Sequence, residues 1–120
     1  MSTITLSFPT LVTSLEFTMY DLSRVNSNYI DEITFNRPVS VTGDNTHLNV
    51  GTSSTVAVGA NTKIYRTQAR ATSALTGSQQ VATTGAPFSS FSITYSNGVT
   101  GKSDATNNQF MAFANFEYCV

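Results

Sequence analysis

Catalysis needs titratable or nucleophilic groups that a fold can bring together, and this sequence offers few. His47 is the only histidine, which excludes a zinc site built on two histidines. A Ser-His-Asp arrangement would have to recruit His47 with one of fifteen serines, and no G-x-S-x-G elbow supports it. His47 stands close to Asp44-Asn45, in a stretch of loop composition where a solvated or turn-bonding histidine is expected. Asp31-Glu32 is the only adjacent carboxylate pair. Strand neighbours point to opposite faces, so these two cannot flank one substrate bond, and both are expected at the surface. Asp44 and Asn45 resemble the start of a calcium loop, but the D-x-[DN]-x-[DN]-G spacing is absent. No G-x-x-x-x-G-K-[ST] phosphate loop occurs either. We expect no enzyme, no cofactor and no metal site.

The basic residues give a similar answer. If Ile64 to Arg70 is a strand, Arg66 and Arg70 share one face and Tyr65 lies on the other. Two arginines become a dense positive field only when many copies assemble, and phosphate contacts supply most nucleic-acid affinity. A solvated face or an inter-subunit salt bridge is the expected use of Arg66 and Arg70, with nucleic acid entering only in a coat role. Cys119 is the only cysteine, so no intrachain disulfide can form; it is expected to be a small buried hydrophobe in the last strand.

The elements that would position these groups are built from uncharged residues. Of 120 residues, 44 are Thr, Ser or Asn, and only 11% are charged, against a usual share of roughly 25%. The formal net charge is −1, so neither a basic nucleic-acid binder nor an acidic tail is indicated. Eight Phe and five Tyr supply core material, and one domain spanning 1–120 is expected. No apolar run is long enough for a membrane helix. The opening Met1-Ser2-Thr3-Ile4-Thr5-Leu6 has no Lys or Arg until Arg24 and no apolar signal region. None of the ten Asn begins a glycosylation sequon. Synthesis in a reducing cytoplasm without classical export is the expectation.

Period-2 alternation recurs along the chain. Ile4-Leu6-Phe8 is one such segment, with Pro9 expected to close it. Leu15-Phe17-Met19, Ile33-Phe35, Val39-Val41, Leu48-Val50, Val56-Val58 and Phe91-Ile93-Tyr95 are others. Asn97-Gly98 carries a strong hairpin signal and predicts a type I′ turn with both residues at positive φ, with a bulge at Gly101 on the return. From Lys63 to Leu75 a strand followed by a loop is expected, and Leu75 to Pro87 reads as a long loop. The stretch Phe110 to Val120 reads as a strand, with a helix capped by Ser103 as the alternative. Together these segments predict an all-β, single-domain antiparallel β-sandwich, jelly roll or barrel of about eight short strands.

Low charge also bears on function. Free domains keep charge for solubility, whereas interface cores are depleted of Lys, Glu and Asp. In size and composition, though in no specific motif, the whole chain resembles the small structural proteins of bacteriophage and other virus particles. Among these it is most similar to head decoration (cement) proteins or a small coat subunit. The resemblance implies a non-enzymatic virion subunit that binds copies of itself and other capsid proteins. Coat proteins of single-stranded RNA phages share the length and the short opening strands, but finish with helices and use a basic sheet face. The aromatic end is the expected self-association segment, with Phe110, Phe113, Phe116 and Tyr118 as its candidate residues. The competing reading is a small lectin-like β-sandwich, with loop Asn and Asp on sugar hydroxyls and Tyr stacking on a ring. The absence of Trp removes the best stacking platform and weakens that reading.

Overall fold

A computed structural model describes residues 1–25, 29–70, 77–98 and 111–120. It is all-β, with no helix among the described residues and ten strands: β1 (Ser2–Val12), β2 (Ser14–Tyr20), β3 (Arg24–Val25), β4 (Tyr29–Phe35), β5 (Val39–Gly43), β6 (Thr55–Val58), β7 (Lys63–Ile64), β8 (Gln79–Thr83), β9 (Phe88–Asn97) and β10 (Ala112–Cys119). They form two antiparallel sheets. The first runs β1-β9-β4-β3, with β7 also paired to β4; the second runs β10-β2-β8-β5-β6. Of the three expected architectures the sandwich is the one formed, from ten strands rather than about eight.

The alternation in the sequence is what packs the sheets together. Leu15, Phe17 and Met19 of β2 face Ile33 and Phe35 of β4 and Phe91 and Ile93 of β9 in one core. Edge-to-face contacts join Phe17 to Phe35 at 5.7 Å and to Phe91 at 5.8 Å between ring centroids. The chain crosses between the sheets through Thr13 alone, whose backbone N–H donates to the Cys119 carbonyl at 2.8 Å. That short crossing places β1, an edge of the first sheet, beside β10, an edge of the second.

Several local expectations are corrected. Strand β1 continues through Pro9, with its register to β9 shifting between Ser7 and Val12; an edge strand with a bulge accommodates a residue that lacks an N–H. Leu48 and Val50 lie in a turn, and Leu48 forms only an isolated bridge with Arg66. Within the expected loop 75–87, Gln79–Thr83 is β8, a central strand paired to β2 and β5. Asn97 and Gly98 do not form the hairpin turn, and neither is among the positive-φ residues. Asn97 is the last residue of β9 and pairs with Asp31, its Oδ1 accepting from the Ile30 N–H, while the Gly98 N–H donates to the Ile30 carbonyl. The Glu32 side chain lies over Gly98 in the space a Cβ would take, so a larger residue there would displace the Glu32 carboxylate. Gly101, Ser103 and Phe110 lie outside the described residues; from Ala112 to Cys119 the chain is strand.

Candidate functional site

The residues with chemical potential converge at one part of the molecule and are consumed there by the fold. Arg66, expected on a solvated face, is completely buried. Its Nε donates to the Leu22 carbonyl at 2.6 Å, its Nη1 to the Thr46 carbonyl, and its Nη2 lies 3.4 Å from Asp44 Oδ2. Arg70 donates to the same Asp44 oxygen from Nε at 3.0 Å and Nη2 at 2.8 Å. Asp44 is thus the hub between two guanidinium groups. Burial works to raise its carboxyl, but hydrogen bonds from Thr46 and Arg70 and the charges of Arg66 and Arg70 outweigh that and hold it below the ordinary carboxylate value. Burial lowers the Arg66 value, opposed by the charge of Asp44.

Asp31, expected at the surface, is likewise fully buried. Its place in the inward row of β4 is stabilised by the Ser23 N–H at 2.8 Å and the Tyr95 hydroxyl at 2.8 Å. Glu32, on the opposite face, meets Lys63 at 3.4 Å. His47 adopts φ 59, and its carbonyl accepts from Thr67, which makes it a turn residue. The loop asparagines are occupied too. Asn45 Nδ2 donates to the carbonyls of Val41 and Ser53, and Asn49 joins the Lys63 carbonyl to the Tyr65 N–H. Two acceptors in this polar end are left unmatched: Gln79 Oε1, on the side chain whose Nε2 donates to Asn45, and Asp21 Oδ1, on a residue 3% exposed at φ 65 whose carboxyl burial raises above the ordinary value. Among the described residues no group of three or more His, Cys, Asp or Glu could hold a metal ion.

The opposite situation holds where β1 and β10 lie beside each other. Here two stretches of apolar groove lie between the strands. One, of about 270 Å³, is lined by Ser2, Ile4, Ile93, Tyr95, Met111 and Phe113. The other, of about 370 Å³, is lined by Thr5, Leu6, Ser7, Phe8, Leu15, Phe116 and Tyr118. Ile4 is 50% exposed, Phe116 41% and Tyr118 58%, so side chains aimed at the core row are left half in water.

The aromatic row of β10 depends on a bulge. Phe113 pairs with Met19 and Tyr118 with Leu15, and between them Asn115 and Phe116 together oppose Phe17. Strict alternation would turn either Phe113 or Phe116 outward. The extra residue, Asn115 at φ 58, keeps both facing inward. Phe17 therefore meets Phe113 edge-on at 6.1 Å and stacks on Phe116 at 5.1 Å and 28°. Tyr118 reaches across to Phe8 of β1 at 5.1 Å. Cys119, expected to be buried, is exposed, because it follows Tyr118 on the outward row of an edge strand.

Of the candidate self-association residues, Phe113, Phe116 and Tyr118 thus share one face of the groove. Reading the aromatic end by itself missed the other wall, Ile4, Leu6 and Phe8 of β1. The signal for it was available: the sequence has no charged residue before Glu16, although edge strands ordinarily carry charges that discourage pairing. Comparison with known protein families, with characterised proteins and with solved structures gives no match to this chain.

Proposed function

We propose that the protein is a non-enzymatic structural subunit of a virus particle, a capsid decoration (cement) protein or small coat protein that binds copies of itself and neighbouring capsid proteins. The observation that carries this reading is the uncharged, half-exposed apolar groove between β1 and β10, in a chain that is otherwise unusually poor in charge. Burying one fully exposed Phe contributes about 1.5–3 kcal/mol, and symmetry repeats a modest contact over many copies. The polar end supports the same reading by default. Its ionic groups are committed to one another, and Arg66 and Arg70 are held by Asp44 rather than offered to phosphate. The lectin-like alternative draws less support, since Asn45 and Asn49 already bond backbone groups.

The reading places the protein in the virion after synthesis in the host cytoplasm. The test is the mass of the protein in material from its native source. Co-sedimentation with particles in many copies is expected. A discrete small species that never accompanies particles, and is stabilised by a glycan, would move the lectin-like reading ahead.

A further inference from the structure

The sheet edges of this molecule are unequal. Edge strand β3 has two residues and β6 has four, too short to template another chain. Strand β10 is longer but is kinked by the bulge at Asn115 and carries Glu117. Short strands, bulges and charges are the ordinary means of blunting an edge. Strand β1 has no charge, its own bulge and Pro9 lie beyond Ser7, so residues 2–7 form a regular uncharged edge, and among the described residues it pairs with β9 alone.

The direction of its free backbone groups follows from the neighbouring strand. Ser92 of β9 directs both its N–H and its carbonyl toward Asn36, on the β4 side. Its partner on the other side, Thr5, is therefore in a non-hydrogen-bonded pair. The side-chain contacts Thr5–Ser92 at 3.1 Å and Thr3–Thr94 at 3.3 Å fit the closer approach of such pairs. Thr3, Thr5 and Ser7 thus point their N–H and carbonyl groups away from β9, to the free edge. Pro9, next in this odd-numbered row, has no N–H to offer.

We propose that β1 pairs antiparallel with β1 of a second copy across a two-fold axis at Thr5. Thr5 then exchanges both backbone bonds with its own counterpart, and Thr3 does so with Ser7 of the second copy. The even-numbered row falls into step, placing Ile4 against Leu6 of the second copy on the groove side. Pairing stops at Pro9 on each strand. The first sheet becomes continuous through the pair, and the half-exposed Phe116 and Tyr118 of β10 cover the junction. The same contact covers groove side chains that the isolated subunit leaves half in water, Ile4, Phe116 and Tyr118. Self-complementarity is what an isologous contact requires.

This inference deepens the self-association reading, and its test is separable from it. The masses of the purified wild type, Thr5→Pro and Thr5→Lys are measured by equilibrium sedimentation at about 100 μM, where a ~10 μM dimer is mostly assembled. The wild type is expected at twice the mass of the chain. Thr5→Pro removes an N–H that no strand among the described residues uses, and Thr5→Lys sets two ammonium groups opposite each other at the axis. Both are expected as folded monomers, with circular dichroism and thermal midpoint close to wild type. Should Thr5→Pro fail to fold, Thr5→Lys decides. A monomeric wild type, or a folded Thr5→Lys that stays dimeric, overturns the pairing. A monomeric wild type that still accompanies particles overturns the pairing alone, whereas a β1-paired dimer absent from every particle overturns the virion reading alone.

Discussion

The two ends of the polarity scale in this molecule are handled in opposite ways. Around Asp44, groups that dislike burial are buried and then matched: Arg66 is wholly enclosed, yet each of its three nitrogens has an oxygen partner. Between β1 and β10, groups that dislike water are left half in it. The first region spends polar side chains on fixing loops distant in sequence, tying residues 22, 44, 46 and 70 to one guanidinium cluster. The second withholds apolar area from its own core. A buried charge network serves one subunit, because its partners must be in place for it to be tolerable at all. An open apolar edge can be completed from outside.

Breaking the polar end should have the largest effect. Arg66→Ala leaves Asp44 and two carbonyls short of a donor in the interior, and a loss of about 3–5 kcal/mol is expected in urea unfolding. A loss below about 1 kcal/mol would show that the cluster does not hold the loops. The open edge should respond differently. Phe116→Ala or Tyr118→Ala is expected to cost about 1–2 kcal/mol, well under the cost for a fully buried aromatic, while abolishing self-association measured by sedimentation. If either variant unfolds the isolated subunit, β10 is an interior strand in energetic terms and the contrast collapses.

Acid separates the regions further. Because its folded value is depressed, Asp44 contributes stability that is present above the ordinary carboxylate value of about 3.9 and lost as pH falls through the lower folded value. The wild-type urea midpoint should therefore fall below about pH 4, and Asp44→Asn, less stable at neutral pH, should fall less over the same interval. The smallest expected change is a gain. The folded Asp21 carboxyl is raised, so the charged form is disfavoured in the native state at neutral pH. Asp21→Asn keeps a residue tolerant of positive φ and removes that charge, and an increase of about 0.5–1 kcal/mol is expected. No increase at pH 7 would mean that water satisfies the Oδ1 atom.

What was legible in the sequence was the part governed by local periodicity. Leu15-Phe17-Met19 and Phe91-Ile93 read as inward rows and are inward rows. The misread strand β8 shows the limit of that signal. Its inward row is Gln79, Val81 and Thr83, and Gln79 is buried because its Nε2 donates to Asn45, 34 residues away. Asp31 and Arg66 were misplaced for the same reason: their partners, Tyr95 for one and Leu22 and Thr46 for the other, are remote in sequence. A polar residue carries no mark of whether the fold will supply a partner. The groove was half legible. Its aromatic wall stands out in composition, but its aliphatic wall reads like any strand, and only the topology sets the two side by side.

The kink in β10 bears on how many copies can join. Deleting Asn115 would leave Phe113, Phe116 and Tyr118 on the same face, since the remaining residues then alternate without interruption. The bulge is what reconciles the aromatic row with the presence of Asn115, and the extra residue itself alters the straightness of the outer edge. If β1 pairs as proposed, the kink leaves each subunit a single adhesive edge and association closes at a pair. Without it, a second edge would become available, and a molecule with two adhesive edges can grow without end. On the proposed pairing Asn115 would set the valence of the subunit, and its removal would be the change most apt to turn a closed pair into a fibre.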